Sequence, residues 1–121
     1  EYIHLHKTGA LLKACVRTGA MIAGANEKLL QALTTYAEGI GLAFQIIDDI
    51  LDLTSSSEKL GKTAGKDLLA DKTTYPKLLG MEESKKRAFE LVETAKKAIE
   101  PWGADAKYLL LLADFITNRD R

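Results

Sequence analysis

Gln45, Asp48, Asp49 and Asp52 fall at i, i+3, i+4 and i+7 within GIGLAFQIIDDILDL, so on a helical period all four share one face. Around them stand Leu42, Ala43, Phe44, Ile46, Ile47, Ile50, Leu51 and Leu53. A helix apolar nearly all round is a buried helix, and this one carries three carboxylates into that burial. Asp48 and Asp52 repel as like charges one turn apart. TSSS after Leu53 reads as the helix stop, which sets the acids near the negative end of the helix dipole. Buried carboxylates are costly unless paired or bound to metal. A hard divalent cation relieves all three penalties at once. Mg²⁺ suits the stripe because it takes one or two carboxylates, keeps several waters and binds phosphate oxygens with its remaining positions. The bland reading is a solvated acidic patch closing a helix, and the surrounding apolar faces argue against it.

The next segment, TSSSEKLGKTAGKDLLADKTTYP at 54–76, has no sustained apolar period and reads as loop with short helical turns. It puts Lys62, Lys66 and Lys72 within chain reach of the aspartates. Metal-held carboxylates beside mobile ammonium groups are what a polyphosphate needs, since metal and lysines together neutralise its oxygens. GKTAGK follows no strand and lacks the spacing of a Walker-type phosphate loop. As an isolated basic loop it says little; joined to DDILD it says much more.

The elements that must position these groups read as helices. Residues 1–25 form a helical pattern with apolar faces from Ile3, Ala10, Leu11, Ala14, Val16, Ala20, Met21 and Ala23. Gly9, Gly19 and Gly24 cost about 1 kcal/mol each against Ala in a helix interior, so their presence points to a close-packed neighbour. Lys7 and Thr8 interrupt the apolar stripe, and a lysine snorkelling off a helix face would explain them if taken alone. Asn26 reads as an N-cap with Glu27 in the first turn, opening a helix of about 27 residues and roughly 40 Å. Gly39 and Gly41 mark a close contact or a bend near its middle. Pro76 lets a short helix begin at Lys77. Residues 82–100 are amphipathic, with Ala88, Phe89, Leu91, Val92, Ala95 and Ile99 toward the core. Pro101–Gly103 reads as a turn. Ala104–Thr117 reads as a last helix, apolar along Tyr108, Leu109, Leu112, Ala113, Phe115 and Ile116, and NRDR at the end as a fraying tail. No strand pattern or internal repeat is present. The class is all-α.

Bulk numbers bound the rest. At 121 residues and 46% hydrophobic content the chain supports one core. Lys plus Arg and Asp plus Glu balance at 17 each, which argues against a nucleic-acid or anionic-membrane surface. No apolar run reaches the length of a transmembrane helix. The single cysteine, Cys15, has no internal disulfide partner, fits a reducing compartment and reads as a small buried side chain. The sequence opens at Glu1 without Met, with a helical pattern already running by Tyr2, which reads as the downstream part of a longer chain.

FQIIDDILD followed by GKTAGKD and DKTTYP resembles the second aspartate-rich region of the trans-isoprenyl diphosphate synthases, and EYIHLHKTGALL resembles that family's Lys-Thr helix. The wording is most similar to geranylgeranyl diphosphate synthases of the bacterial and plastid type, over essentially all of residues 1–121. The resemblance implies an antiparallel helical bundle around a central cavity, here its C-terminal half. It also implies a Mg²⁺-dependent transfer in which an allylic diphosphate ionises and isopentenyl diphosphate attacks the allylic cation. Asp48 matches the main Mg²⁺ ligand of this motif, and Asp49 and Asp52 complete it, partly through metal-bound water. Lys7, Lys62 and Lys72 match lysines on the allylic diphosphate. Thr8 and Gln45 match polar groups lining the allylic end, with Lys66 and Asp67 in support. A homodimer, in the cytosol or a plastid stroma, is implied as well.

One departure matters. The family needs a first aspartate-rich motif upstream, with neighbouring arginines and an isopentenyl diphosphate site, and nothing here supplies them; DLLAD at 67–71 stands in the wrong context. The 121 residues acting alone are therefore expected to turn over little. A reading of another class, a non-catalytic helical subunit that modulates a catalytic partner, has no need of the full Gln-Asp-Asp-Asp stripe. Terpene cyclases and head-to-head synthases carry differently spaced acidic motifs.

Overall fold

The computed structural model describes residues 8–59 and 74–119, and every regular element among them is helical. The helices are α1 (Thr8–Ile22), α2 (Glu27–Lys59), α3 (Tyr75–Leu79), α4 (Met81–Ile99) and α5 (Lys107–Asn118), with a 3-10 turn over Glu100–Ala106.

α1 and α2 form an antiparallel hairpin. Gly24, at φ 82°, makes the reversal in a region that side-chain-bearing residues avoid. Asn26 then caps α2, its Oδ1 accepting from the Leu29 amide at 2.8 Å. Along the hairpin Arg17 donates to Thr34 Oγ1 at 2.6 Å, Lys13 lies 3.9 Å from Glu38, and Gly9 backs onto Gly41. From pair to pair α1 steps back four residues while α2 advances by three or four, as two antiparallel helices in contact must.

α2 is the spine. It buries Tyr36, Ala37, Ile40, Leu42, Ala43, Ile46, Ile47 and Ile50, and α4 answers with Ala88, Val92, Ala95 and Ile99. α4 runs back along α2: Tyr75, just before it, sits beside Asp49, while Ala95 near its end sits against Gly39. A Cβ on Gly39 would lie 3.1 Å from Ala95 Cβ and from the Leu91 carbonyl; one on Gly41 would lie 3.1 Å from Gly9 Cα. Two residues on a helix are about 200° apart, so these glycines open opposite sides of α2, one to α4 and the other to α1.

α5 turns again and runs parallel to α2. Tyr36 donates to the Leu109 carbonyl at 2.7 Å, and Lys96 donates to Asp114 at 2.8 Å, tying α5 to α2 and to α4. The hydrogen bond to Asp114 raises the Lys96 ammonium above its ordinary range.

Several expectations change. α2 does not stop at TSSS but continues to Lys59. Thr54 Oγ1 donates back to the Ile50 carbonyl at 2.9 Å, so its hydroxyl is satisfied inside the helix rather than ending it. The short helix begins at Tyr75, two residues before Lys77, because Thr74 caps it by accepting from the Lys77 amide at 3.3 Å. The last α-helix begins at Lys107, after the 3-10 turn and its kink at Gly103. Cys15 is exposed, not buried. A Cβ at Gly19 or Gly24 would meet no atom within 4 Å among the described residues, so neither marks the close-packed neighbour expected there, whereas Gly9 sits against Gly41. Phe89, Tyr108, Leu112 and Phe115 are exposed, as are Leu11, Met21 and Ile22 on α1. Periodicity identified these apolar faces, but among the described residues no element covers them.

Two outcomes test the packing. Gly39→Val forces two β-methyls against a backbone carbonyl and should lower unfolding stability by about 1–3 kcal/mol. Gly19→Ala, in open space, should raise it by up to about 1 kcal/mol; denaturant titration of both variants reads the contrast. Burial pushes the Tyr36 hydroxyl up to about 12 from 10.0. Below pH 10 both states keep the proton and stability is unaffected. Above it the unfolded chain ionises first, so stability should fall as pH rises from about 10 to 12, and Tyr36→Phe should flatten that part of the profile.

Candidate functional site

The three aspartates of α2 lie on one face, as their spacing predicts, but they meet three different environments. Asp49 is buried at 7% exposure and accepts from the Tyr75 amide at 3.5 Å, joining α2 to the start of α3. Asp48 is half-exposed, its side chain 47% accessible, with Oδ1 3.4 Å from Arg119 Nη2. Asp52, one turn beyond Asp48, is exposed. Gln45 is half-buried in the turn before Asp48 and Asp49. Thr8 is half-buried at the first position of α1, next to Gly9 where that helix crosses Gly41. Gly41 is one turn from Gln45, so Thr8, Gln45 and the aspartates occupy the same end of the hairpin.

This arrangement changes the electrostatic reading. With α2 reaching Lys59, the aspartates stand more than a turn from its C-terminus, and the dipole effect falls off within the last turn. Arg119 offsets part of the repulsion between Asp48 and Asp52, and Asp49, the buried carboxylate of the stripe, has a backbone donor. These contacts offset part of the electrostatic cost of the stripe. Among the described residues no group of three or more His, Cys, Asp or Glu gathers closely enough to hold a metal ion. The donor chemistry still fits Mg²⁺ through two residues. Asp48 and Asp52 are hard oxygen donors one turn apart and open to water, and Mg²⁺ asks for one or two carboxylates with water and phosphate oxygens for the rest.

Lys7, Lys62, Lys66, Asp67, Lys72 and the DLLAD segment lie outside the described residues. Sequence reasoning missed Arg119, placing it in a fraying tail. Its side chain is 9% exposed, its Nη2 donates to the Phe44 carbonyl at 3.2 Å, and its guanidinium lies 4.2 Å from the Phe44 ring centroid. An arginine just past an apolar helix carries no periodic signal, and only the course of α5 along α2 brings it to Asp48. At the opposite end of the bundle a cleft of about 230 Å³ is lined by Leu29, Leu33, Ile99, Trp102 and Leu109, with Asp105 as its one carboxylate. It is apolar and far from the acidic stripe.

Comparison with known proteins agrees with this architecture. The chain is 56% identical over 120 residues to a geranylgeranyl diphosphate synthase of Cyanophora paradoxa, covering 99% of this chain and 40% of that protein. It is 53% identical over 121 residues to a chloroplastic geranylgeranyl pyrophosphate synthase of Capsicum annuum, covering 99% of this chain and 33% of the relative. Among solved structures, an apo FPP/GFPP synthase of Zymomonas mobilis superposes with a TM-score of 0.75 at 34% identity, over 93% of this chain and 35% of that one. The chain thus spans well under half the length of these relatives. Their fold is the all-α fold described above, and the polyprenyl synthetase family model matches residues 1–106. The chain belongs to the polyprenyl synthetase family.

Proposed function

We propose that the protein is a prenyltransferase that condenses isopentenyl diphosphate with an allylic diphosphate, and that residues 1–121 provide the allylic diphosphate end of its site. The observation that carries this reading is the pair Asp48 and Asp52, two solvent-facing carboxylates one turn apart on α2, in a chain of the polyprenyl synthetase family. Asp48, Asp52 and, through water, Asp49 would hold Mg²⁺, which supplies positive charge to the diphosphate oxygens. Lys7, Lys62 and Lys72 bind the same diphosphate as point charges. As the allylic C–O bond breaks, negative charge grows on the leaving diphosphate, and charges fixed there beforehand stabilise that change most. Thr8 and Gln45 line the allylic carbon end with neutral dipoles, suited to steadying a cation without capturing it. The isopentenyl double bond then forms the new C–C bond, and the proton it loses passes to the diphosphate. The product is geranylgeranyl diphosphate, and the working unit is a homodimer. The compartment is a cytosol or a plastid stroma, either of which suits the exposed thiol of Cys15.

The test uses a polypeptide of the relatives' length, because the chain spans 40% of the Cyanophora paradoxa protein. Residues 1–121 replace the matched segment of that synthase, and transfer from radiolabelled isopentenyl diphosphate is followed with Mg²⁺. The chimera should make a C20 product, and Asp48→Ala within it should lower kcat roughly a hundredfold or more. A folded chimera without transfer, or one indifferent to Asp48→Ala, contradicts the reading.

A further inference from the structure

Arg119 is the least expected side chain in the structure. It comes from the residue after α5, 71 positions along the chain from Asp48, yet its guanidinium is sunk between α5 and α2. Among its contacts are Phe44 and the residue one turn beyond. It donates to the Phe44 carbonyl at 3.2 Å, lies over the Phe44 ring at 4.2 Å, and approaches Asp48 Oδ1 at 3.4 Å. The arginine is 9% exposed and the aspartate 47%. The cation is therefore the anchored partner, and the carboxylate lies over it at the surface.

We propose that Arg119 is a resident counter-cation of the acidic stripe: it positions Asp48 and competes with a divalent cation for that carboxylate. As a consequence, cation binding and docking of the C-terminal end of α5 oppose each other. This rests on the reading of Asp48 as a divalent-cation ligand. The physical reason is direct. Asp48 carries its negative charge to an exposed face, and Arg119 already lies against it through Oδ1. A dication arriving at Asp48 meets a fixed positive charge a few ångströms away, and the repulsion is substantial even in water-like surroundings. By linkage the effect is reciprocal, so whatever weakens cation binding through Arg119 is matched by an equal weakening of Arg119 docking when the cation is bound. A purely structural tie predicts otherwise, because removing it would loosen α5 and leave cation affinity unchanged or lower.

The experiment measures Mn²⁺ affinity of the purified protein, with no diphosphate present, from the free-ion electron paramagnetic resonance signal. Wild type is compared with Asp48→Asn, Arg119→Gln and Arg119→Lys, with circular dichroism to verify folding. Asp48→Asn should lose the site, Arg119→Gln should bind roughly three- to tenfold tighter than wild type, and Arg119→Lys, which keeps the charge, should stay near wild type. Should Arg119→Gln fail to fold, hydrogen exchange in the wild type replaces it, and amides at Thr117–Arg119 should exchange faster in saturating Mg²⁺. If wild type and Asp48→Asn bind alike, or neither binds, the cation site itself is refuted and this inference with it. If Asp48→Asn loses binding but Arg119→Gln binds no tighter, or exchange is unchanged by Mg²⁺, the site stands and only the competition is overturned.

Discussion

Everything in this bundle depends on how closely α2 can be approached. Gly39 and Gly41 stand two residues apart, on opposite sides of the helix, each with a backbone or Cβ atom 3.1 Å from where its own Cβ would be. α4 fills one notch and α1 the other at the same level of the spine. That double approach brings the buried faces of three helices together around Ile40, Ala43 and Ile47. α5 then packs along α2 and α4, held by Tyr36 to the Leu109 carbonyl and by Lys96 to Asp114. With the helices fixed in this register, the end of α2 carrying the aspartates also receives the start of α3 and the residue after α5.

Within that frame, one helical face supports three carboxylates in three states. Asp49 is buried and accepts from the Tyr75 amide. Asp48 is shared between fold and solvent, with Arg119 below it. Asp52 faces water. The stripe thus brings Asp48 and Asp52 to the surface while Asp49 lies buried.

Much of this was legible in the sequence because helices write their partners at fixed spacing. The run from Leu42 to Leu53 gave away a buried α2, Asn26 its start, and Gly39 and Gly41 a close contact or a bend near its middle, of which the structure shows the contacts. The stop at TSSS misled because Thr and Ser can bond back to the preceding turn as readily as they can cap; Thr54 does so here. The exposure of Cys15, Phe89, Tyr108 and Phe115 was beyond reach, since an amphipathic pattern names an apolar face without naming what lies on it. Arg119 was hidden for a different reason. Its contacts to Phe44 and Asp48 span more than seventy residues, and no local periodicity encodes a pairing of that range.

The central claim is that the acidic stripe of α2 serves a diphosphate through a divalent cation. Calorimetric titration of the purified protein with inorganic pyrophosphate, in Mg²⁺ and again in excess chelator, addresses it most directly. The account predicts saturable binding in Mg²⁺ that disappears with the chelator. Binding of equal strength in both conditions, or none in either, would contradict it.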